Sequence, residues 1–436
     1  MEFLTGAEKI KELRKKLKMT QQDFATENFT RGYLGLLENS RRNITKEAAK
    51  TITNSFIKRA KELNINLEID EEYFLRTPKE EAQWYCDSEL KKENITIEEL
   101  KDILEIGRVY GLDKIKCLSY MRMGEIYFKN SEYVNAYKYY FFALDLNRND
   151  LLADKEITLY NRIAKCKYYV LNYDEAIVLF MREYESCKKF NKRSDMQKAL
   201  YNLAVCYKQS GDIDKTILTL NKFTENYEFY DDKEEELYIC ANSIKANCYK
   251  DKGQCKTAID IYNNLISKMN FKNDILAYVY NNIGDAYLGD KDLETALDYF
   301  NKSQQIRIKE DKPNLSHTLV NKAKVYLEKK LYEECIMILE LSLENAMEYK
   351  DYEYIVKTYN LFEKAYLQTK DYRKLEFNYK KMIEILDKTK NYLDIIKVYT
   401  KLQELYLNNN EIEKANDTLK KIQCVLLKVK EIEKSR

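Results

Sequence analysis

Side chains that could do acid–base or nucleophilic chemistry are sparse in this sequence. His317 is the single histidine in 436 residues. It follows Pro313 by four positions, where a helix would open, and reads as a helix-start or surface residue rather than a general base. The ten cysteines stand singly at 86, 117, 166, 187, 206, 240, 248, 255, 335 and 424, without a C-x-x-C, so they read as buried reduced thiols. No glycine-rich phosphate loop, G-x-S-x-G elbow or H-E-x-x-H helix occurs. The acidic run Asp231-Asp232-Lys233-Glu234-Glu235-Glu236 suits a solvated turn between helices. These residue types predict no enzyme, no metal and no cofactor.

The chemistry that does stand out is recognition. Residues 1–61 hold 14 Lys/Arg against 7 Asp/Glu, net +7, leaving 60 against 65, net −5, for the rest. A basic head on a mildly acidic body suits a nucleic-acid-binding module joined to a regulatory one. Gln21 and Gln22 open a short helix whose free amides favour phosphate. Thr30, Arg31 and Tyr33 lead the next helix and are the expected base readers, with Arg31 suited to guanine O6 and N7. Arg41 and Arg42 follow in a loop and should meet the phosphate backbone.

Four helices must position these groups. Thr5 caps a helix from Ala7 to about Leu17 and Thr20 caps Gln21 to Ala25. A third runs from about Thr30 to Glu38 on a Leu34–Leu37 seam, and Thr45 opens a fourth through Ile52 and Phe56. The stretch LRKKLKMTQQDFATENFTRGYLGLLENSRRNIT resembles the helix-turn-helix of XRE/Cro-type repressors, in Leu-Arg of the first helix, Thr-Gln-Gln of the second and Leu-Glu-Asn-x-x-Arg-Asn closing the third. It departs in Thr26-Glu27-Asn28-Phe29, which replaces the usual glycine-containing turn, and in Leu36, where Arg or Lys is common.

Beyond residue 115 the chain repeats. A small residue, an aromatic three positions on and a small residue nine beyond recur as Gly124–Tyr127–Ala136, Ala204–Tyr207–Thr216, Ala246–Tyr249–Ala258, Gly284–Tyr287–Ala296 and Ala323–Tyr326–Cys335. Ala164–Lys167–Ala176 and two degenerate copies at Tyr366 and Tyr406 complete eight units spaced by 38 to 42 residues. Each unit reads as a helical hairpin, helix A then helix B, the aromatic filling the gap between hairpins. Most of the 38 tyrosines are then packing residues. The pattern resembles the tetratricopeptide (TPR) family, which implies that A helices line a groove. Asn161, Asn202, Asn247, Asn281, Asn282, Asn321 and Asn360 recur on that face. Their amides could hold an extended peptide backbone, with Lys165, Lys208 and Lys324 adding carboxylate recognition.

Two prolines, ten glycines and abundant Leu, Lys, Glu and Tyr fit an all-α fold. No stretch of 18 apolar residues exists and the N-terminus charges too early for a signal peptide, so a cytoplasmic protein without a membrane segment is expected. The organisation expected is a helix-turn-helix domain at 1–65, linker helices at 66–114 carrying Pro78 and Trp84, and a right-handed TPR-like α-superhelix of about eight hairpins at 115–436. An XRE-type head on such a body resembles the RRNPP family of peptide-sensing regulators (Rap, Rgg, NprR, PlcR and PrgX), in particular NprR-like and clostridial RstA-like members. That resemblance implies a transcriptional regulator that binds a DNA operator and a short signalling peptide and forms a homodimer. A second reading stays open: a TPR interaction module that sequesters a signalling partner such as a response regulator or kinase.

Overall fold

The structure is a computed structural model that describes residues 2–24, 29–147, 155–225, 227, 231–268 and 273–434. It is built from α-helices, and its contacts divide it into two units, 1–215 and 216–436.

Unit 1 opens with α1 (Gly6–Lys16), a 3₁₀ turn at Gln21–Phe24, α2 (Arg31–Glu38) and α3 (Lys46–Glu62). Thr5, Thr30 and Thr45 cap the three helices through hydrogen bonds from the amides of Glu8, Tyr33 and Ala48. The expected second helix is a single tight turn, because Asp23 draws the Thr20 amide onto its carboxylate at 2.6 Å; Ala25 lies outside the described residues. Ile10, Leu17, Phe24, Leu34, Leu37, Ile52 and Phe56 close one apolar core.

That core does not stop at residue 65. Phe74 is fully buried in it against Phe56, with Leu67, Ile69 and Leu75 packed on its edge. A β-carbon added at Gly6 would stand 2.1 Å from the Phe74 carbonyl oxygen, so glycine is what lets this segment lie against α1. Residues 66–77 are therefore part of the head and not a linker. After them come α4 (Pro78–Glu89) and α5 (Ile97–Val109), then α6 (Asp113–Lys129), α7 (Tyr133–Leu146), α8 (Glu156–Tyr169), α9 (Tyr173–Lys189) and α10 (Arg193–Gln209). α4 and α5 share a core with the start of α6 through Ala82, Cys86, Leu100, Ile103 and Ile115, so they stack on the repeats as a further hairpin.

The division falls inside α11 (Ile213–Thr224). Unit 2 continues with α12 (Asp232–Asp251), α13 (Cys255–Lys268), α14 (Asn273–Gly289), α15 (Leu293–Glu310), α16 (Leu315–Glu328), α17 (Tyr332–Glu348), α18 (Tyr352–Thr369), α19 (Tyr372–Lys388), α20 (Tyr392–Asn408) and α21 (Ile412–Lys434). The acidic run at 231–236 is not a turn. Asp231 caps α12 by accepting from the Glu234 amide at 2.8 Å, and the acids after it occupy the first turn, where the helix dipole favours negative charge.

The repeat signature has a clear steric meaning. A β-carbon at Gly124 would stand 2.7 Å from the Tyr140 ring, and one at Gly284 would stand 2.7 Å from Phe300. Phe180, Tyr262 and Leu339 hold the same register, sixteen residues after Ala164, Ala246 and Ala323, and share a core with them. The residue that fills each hairpin is this one. The aromatic three positions after the small residue lies on its own helix B: Tyr127 stacks on Tyr139 at 5.3 Å and Tyr287 on Tyr299 at 5.6 Å. Tyr287 is also packed against the core cluster shared by α12, α13 and α14 and against the one that joins α15 to Val325 of α16.

Punctuation between helices is carried by a two-residue device. At Lys350, Lys370 and Lys390 the backbone turns left-handed (φ +56° to +57°), and the following amide bonds the carbonyl five residues back, as Asp371 does to Tyr366 at 3.0 Å. The very next side chain then caps the following helix: Asp351 to Tyr354, Asp371 to Lys374 and Asn391 to Asp394. In unit 2, α12 touches α14, α14 touches α16 and α16 touches α18, whereas consecutive B helices do not pair in this way, so the A helices lie on the inner side of the stack.

Candidate functional site

The head places its cations on a framed surface. Arg14 on α1 donates from Nε to Glu38 Oε1 at 2.5 Å and from Nη2 to Oε2 at 3.1 Å, and from Nη1 to the Met19 carbonyl at 3.2 Å. Gln21 Nε2 also donates to Glu38 Oε2, at 2.7 Å. Burial alone would push the Glu38 carboxyl up, but the bonds from Arg14 and Gln21 outweigh it and hold the group below the usual carboxylate range. Three elements are thereby locked at the base of α2.

The structure gives the residues read from sequence these partners. Gln21 is bonded through its side chain to Glu38, whereas Gln22 is exposed. Thr30 spends its hydroxyl on the Tyr33 amide at 3.2 Å. Tyr33 is half-buried, edge-on to Phe29, with the Arg42 guanidinium 5.2 Å above its ring. Arg31, Arg41 and Arg42 are exposed, and none of the three forms an ion pair among the described residues. Arg14 and Glu38 escaped the sequence reading because a bidentate pair 24 residues apart has no local signal.

In the body, Asn281 and Asn321, one repeat apart on α14 and α16, bond each other: Asn321 Nδ2 donates to Asn281 Oδ1 at 3.2 Å. Lys324 Nζ donates to Asn321 Oδ1 at 2.7 Å. Asn247 accepts from the Tyr262 hydroxyl at 3.1 Å, and Asn282 lies close enough to the phenols of Tyr262 and Tyr278 to influence both. In unit 1, Asn161 donates to Glu183 at 2.9 Å. Asn202 and Asn360 are half-exposed. So Asn281 and Asn321 pair within unit 2, Asn247 and Asn282 lie at Tyr262, and Asn161 belongs to a separate cluster.

Beside the Asn281–Asn321–Lys324 chain lies a cavity of about 460 Å³, lined by Lys250, Asp285, Leu288, Lys324, Leu361 and Lys364. Lys250 is paired with Asp285. Burial holds the Lys324 ammonium below the usual lysine range, opposed by the attraction of Asp285. Lys364 forms no ion pair among the described residues. The cavity thus offers the ammonium groups of Lys250, Lys291, Lys324 and Lys364 beside Leu288, Leu327 and Leu361, with Asp285 and Glu328 paired to two of them. Such a surface suits an extended backbone that carries an anionic group. His317, in the first turn of α16, stacks on Tyr354 with ring centroids 3.6 Å apart and bonds Asp351 at 2.8 Å. Burial keeps its imidazole below the usual histidine range against the pull of Asp351.

Among the described residues, no group of three or more His, Cys, Asp or Glu side chains could hold a metal ion, and no helix is long and apolar enough to cross a membrane.

Comparison with protein-family models matches two segments, residues 198–228 and 277–307, each to a tetratricopeptide repeat. The body is built of TPR-like repeats. No curated protein sequence matches the chain. Among solved structures, the fold is similar to a Signal Transduction ATPase with Numerous Domains protein with a tetratricopeptide repeat sensor from Pyrococcus horikoshii. The TM-score is 0.50 at 16% identity, over 87% of this chain and 65% of that one. The apo form of the quorum sensor NprR from B. thuringiensis aligns over 96% of this chain and 99% of that one, with a TM-score of 0.45 at 15% identity. Apo RapI aligns over 63% and 99%, with a TM-score of 0.47 at 15% identity.

Proposed function

We propose that this chain is a cytoplasmic, non-enzymatic transcriptional regulator. It binds operator DNA as a homodimer through its N-terminal helices and senses a short peptide along the A-helix face of its repeats. The observation that carries the reading is the basic surface of the head. Arg31, Arg41 and Arg42 are exposed and form no ion pair among the described residues, beside a helix braced by the Arg14–Glu38–Gln21 bonds. Exposed cations in a segment of net +7 are what a polyanion requires. Arg31 at the start of α2 supplies base readout; Gln22, Arg41 and Arg42 supply phosphate contacts. The peptide part is supported by the Asn281–Asn321–Lys324 chain beside the lysine-lined cavity, and the family resemblance of the head-plus-repeat layout points the same way.

A mobility-shift assay on the promoter region of the chain's own gene tests the DNA part. Arg31→Ala should abolish the sequence-specific shift at a cost of about 1–3 kcal/mol. Specific binding that survives this change overturns the recognition role of α2. A wild-type protein that ignores DNA but captures a response regulator or kinase establishes the sequestration reading instead. For the peptide part, Asn321→Ala should weaken a peptide that wild type retains from a synthetic heptapeptide library.

A further inference from the structure

The residue that fills each hairpin is buried in successive repeats and uncovered in the last. Phe180, Leu220, Tyr262, Phe300, Leu339 and Tyr379 are at most 3% exposed, whereas Leu419, in the same register, is 41% exposed. Seven residues further along helix B, Cys187, Arg307, Ala346 and Leu386 are buried, and Leu426 is 43% exposed. On helix A, Tyr359 is buried and Tyr399, one repeat later, is half-buried. The cause is positional. α15, α17 and α19 each lie against a helix A on both sides, whereas α21 lies on α20 and no described helix follows it to cover its other side. A repeat array needs a polar outer face on its last unit, and this one is apolar.

Helical geometry, at about 100° per residue, divides α21 into three sectors. Ala415, Thr418, Ile422 and Val425 are buried toward α20. Glu413, Lys414, Asp417, Lys420, Lys421 and Lys428 share a second sector, in solvent. Ile412, Asn416, Leu419, Gln423 and Leu426 form the third, all exposed. That sector carries no charge until Lys430, one turn beyond Leu426. The helix thus keeps its ions off the side that a further helix A would cover.

We infer that this end of the array pairs with the same end of a second copy of the chain, α21 running antiparallel to its counterpart and Leu419 and Leu426 of each copy covering the other. The inference rests on the homodimer of the proposed function and names its surface, which lies wholly within unit 2. Charge, symmetry and area select a second copy as the occupant. An uncharged face set against itself opposes no like charges. A parallel pair would set Lys430 against Lys430, whereas an antiparallel pair centred near Leu419 holds these two ammonium groups about 30 Å apart, well beyond the screening length at physiological salt. Self-pairing covers the bare end of both copies through one two-fold contact, while docking on any other surface leaves the second copy's end bare. Two helices side by side, about 25 Å long and about 20 Å across together, offer roughly 500 Å² per copy. The pair then buries roughly the 1,000 Å² that a specific interface needs.

Sedimentation velocity on the full-length chain at physiological salt tests the pairing. Wild type should sediment as a dimer. Leu419→Glu with Leu426→Glu, and separately Leu419→Lys with Leu426→Lys, set like charges against each other and should each weaken the dimer by roughly tenfold or more. Mixing the acidic variant with the basic one makes the contact complementary and should restore a dimer with one chain of each. Both positions are exposed, and circular dichroism checks that each variant folds. Dimers that both variants retain at wild-type strength overturn this surface while keeping the homodimer. Variants that weaken the dimer and do not rescue each other in the mixture overturn the self-pairing. A wild-type chain that stays monomeric overturns the inference and the homodimer together, and leaves the DNA-binding reading to the mobility shift.

Discussion

Glu183 shows how one residue can break the pattern of its repeat. The matching position of helix B holds Ala143, Leu265, Ser303, Ser342 and Met382 in other units, all buried and uncharged. Glu183 is 2% exposed, and only one of its oxygens is bonded, to Asn161. Burial pushes its carboxyl up to about 8, against the bond from Asn161 and the nearby Lys165 and Lys198, with Asp195 adding to the rise. The folded-state value lies above the unfolded one, so the native protein binds the extra proton between them. Stability is then fully present below about pH 4.5 and is lost as pH rises towards 8. Urea unfolding at pH 5, 6.5 and 8 should show that decline, on the order of a few kcal/mol, and Glu183→Gln should flatten it. A decline of the same size in the glutamine variant would assign it to other groups. Eight of the ten cysteines are buried free thiols as expected, whereas Cys240 and Cys424 are exposed; burial pushes Cys86, Cys117 and Cys335 up to about 11, and Cys166, Cys187 and Cys206 up to about 12, as inert core thiols require.

At the scale of elements, the strongest joint is between α1 and α4. Lys9, 3% exposed, donates to Glu81 Oε2 at 3.0 Å and to the Tyr73 carbonyl at 2.9 Å. Arg76 reaches the same carboxylate at 2.6 Å and Asp70 at 2.8 Å, and its guanidinium lies 4.7 Å over the ring of Trp84. Glu81→Ala leaves the Lys9 ammonium buried without its carboxylate and should cost about 3–5 kcal/mol, read by chemical denaturation. Gly284→Ala should cost about 1–3 kcal/mol, because the new β-carbon meets the Phe300 ring and not a yielding chain end. The helices and their register were legible in the sequence because capping threonines and a forty-residue period are local signals. The Phe74 segment was not, since its alternation of charge and apolar residues makes sense only against α1. Nor were the partners of Gln21 and Asn161, which come from elements 17 and 22 residues away. The sequence could not tell which of the site's polar groups the fold itself engages, as Glu38 engages Gln21 and Glu183 engages Asn161.

Across the whole molecule, charge is distributed so that DNA affinity should be steeply salt-dependent. The slope of log K against log salt should become shallower by roughly one when Arg41 or Arg42 is replaced by alanine, and an unchanged slope would remove that residue from the phosphate contacts. The left-handed turns have a consequence for how this molecule was tuned. Non-glycine residues sit there at Ser131, Leu171, Asn191, Lys291, Lys330, Lys350, Lys370, Lys390 and Asn410, whereas glycine holds such turns at Gly211 and Gly253. Each non-glycine residue gives up about 1–2 kcal/mol to its side chain's crowding of the backbone. Glycine would relieve that strain but return about 0.4–1 kcal/mol through a looser unfolded chain. Lys370→Gly should therefore raise the thermal midpoint modestly while changing no side-chain contact of the core. Repeated along the array, such substitutions form a set of stability settings, one per turn, through which the stiffness of the repeat stack is graded without altering a side chain of its core.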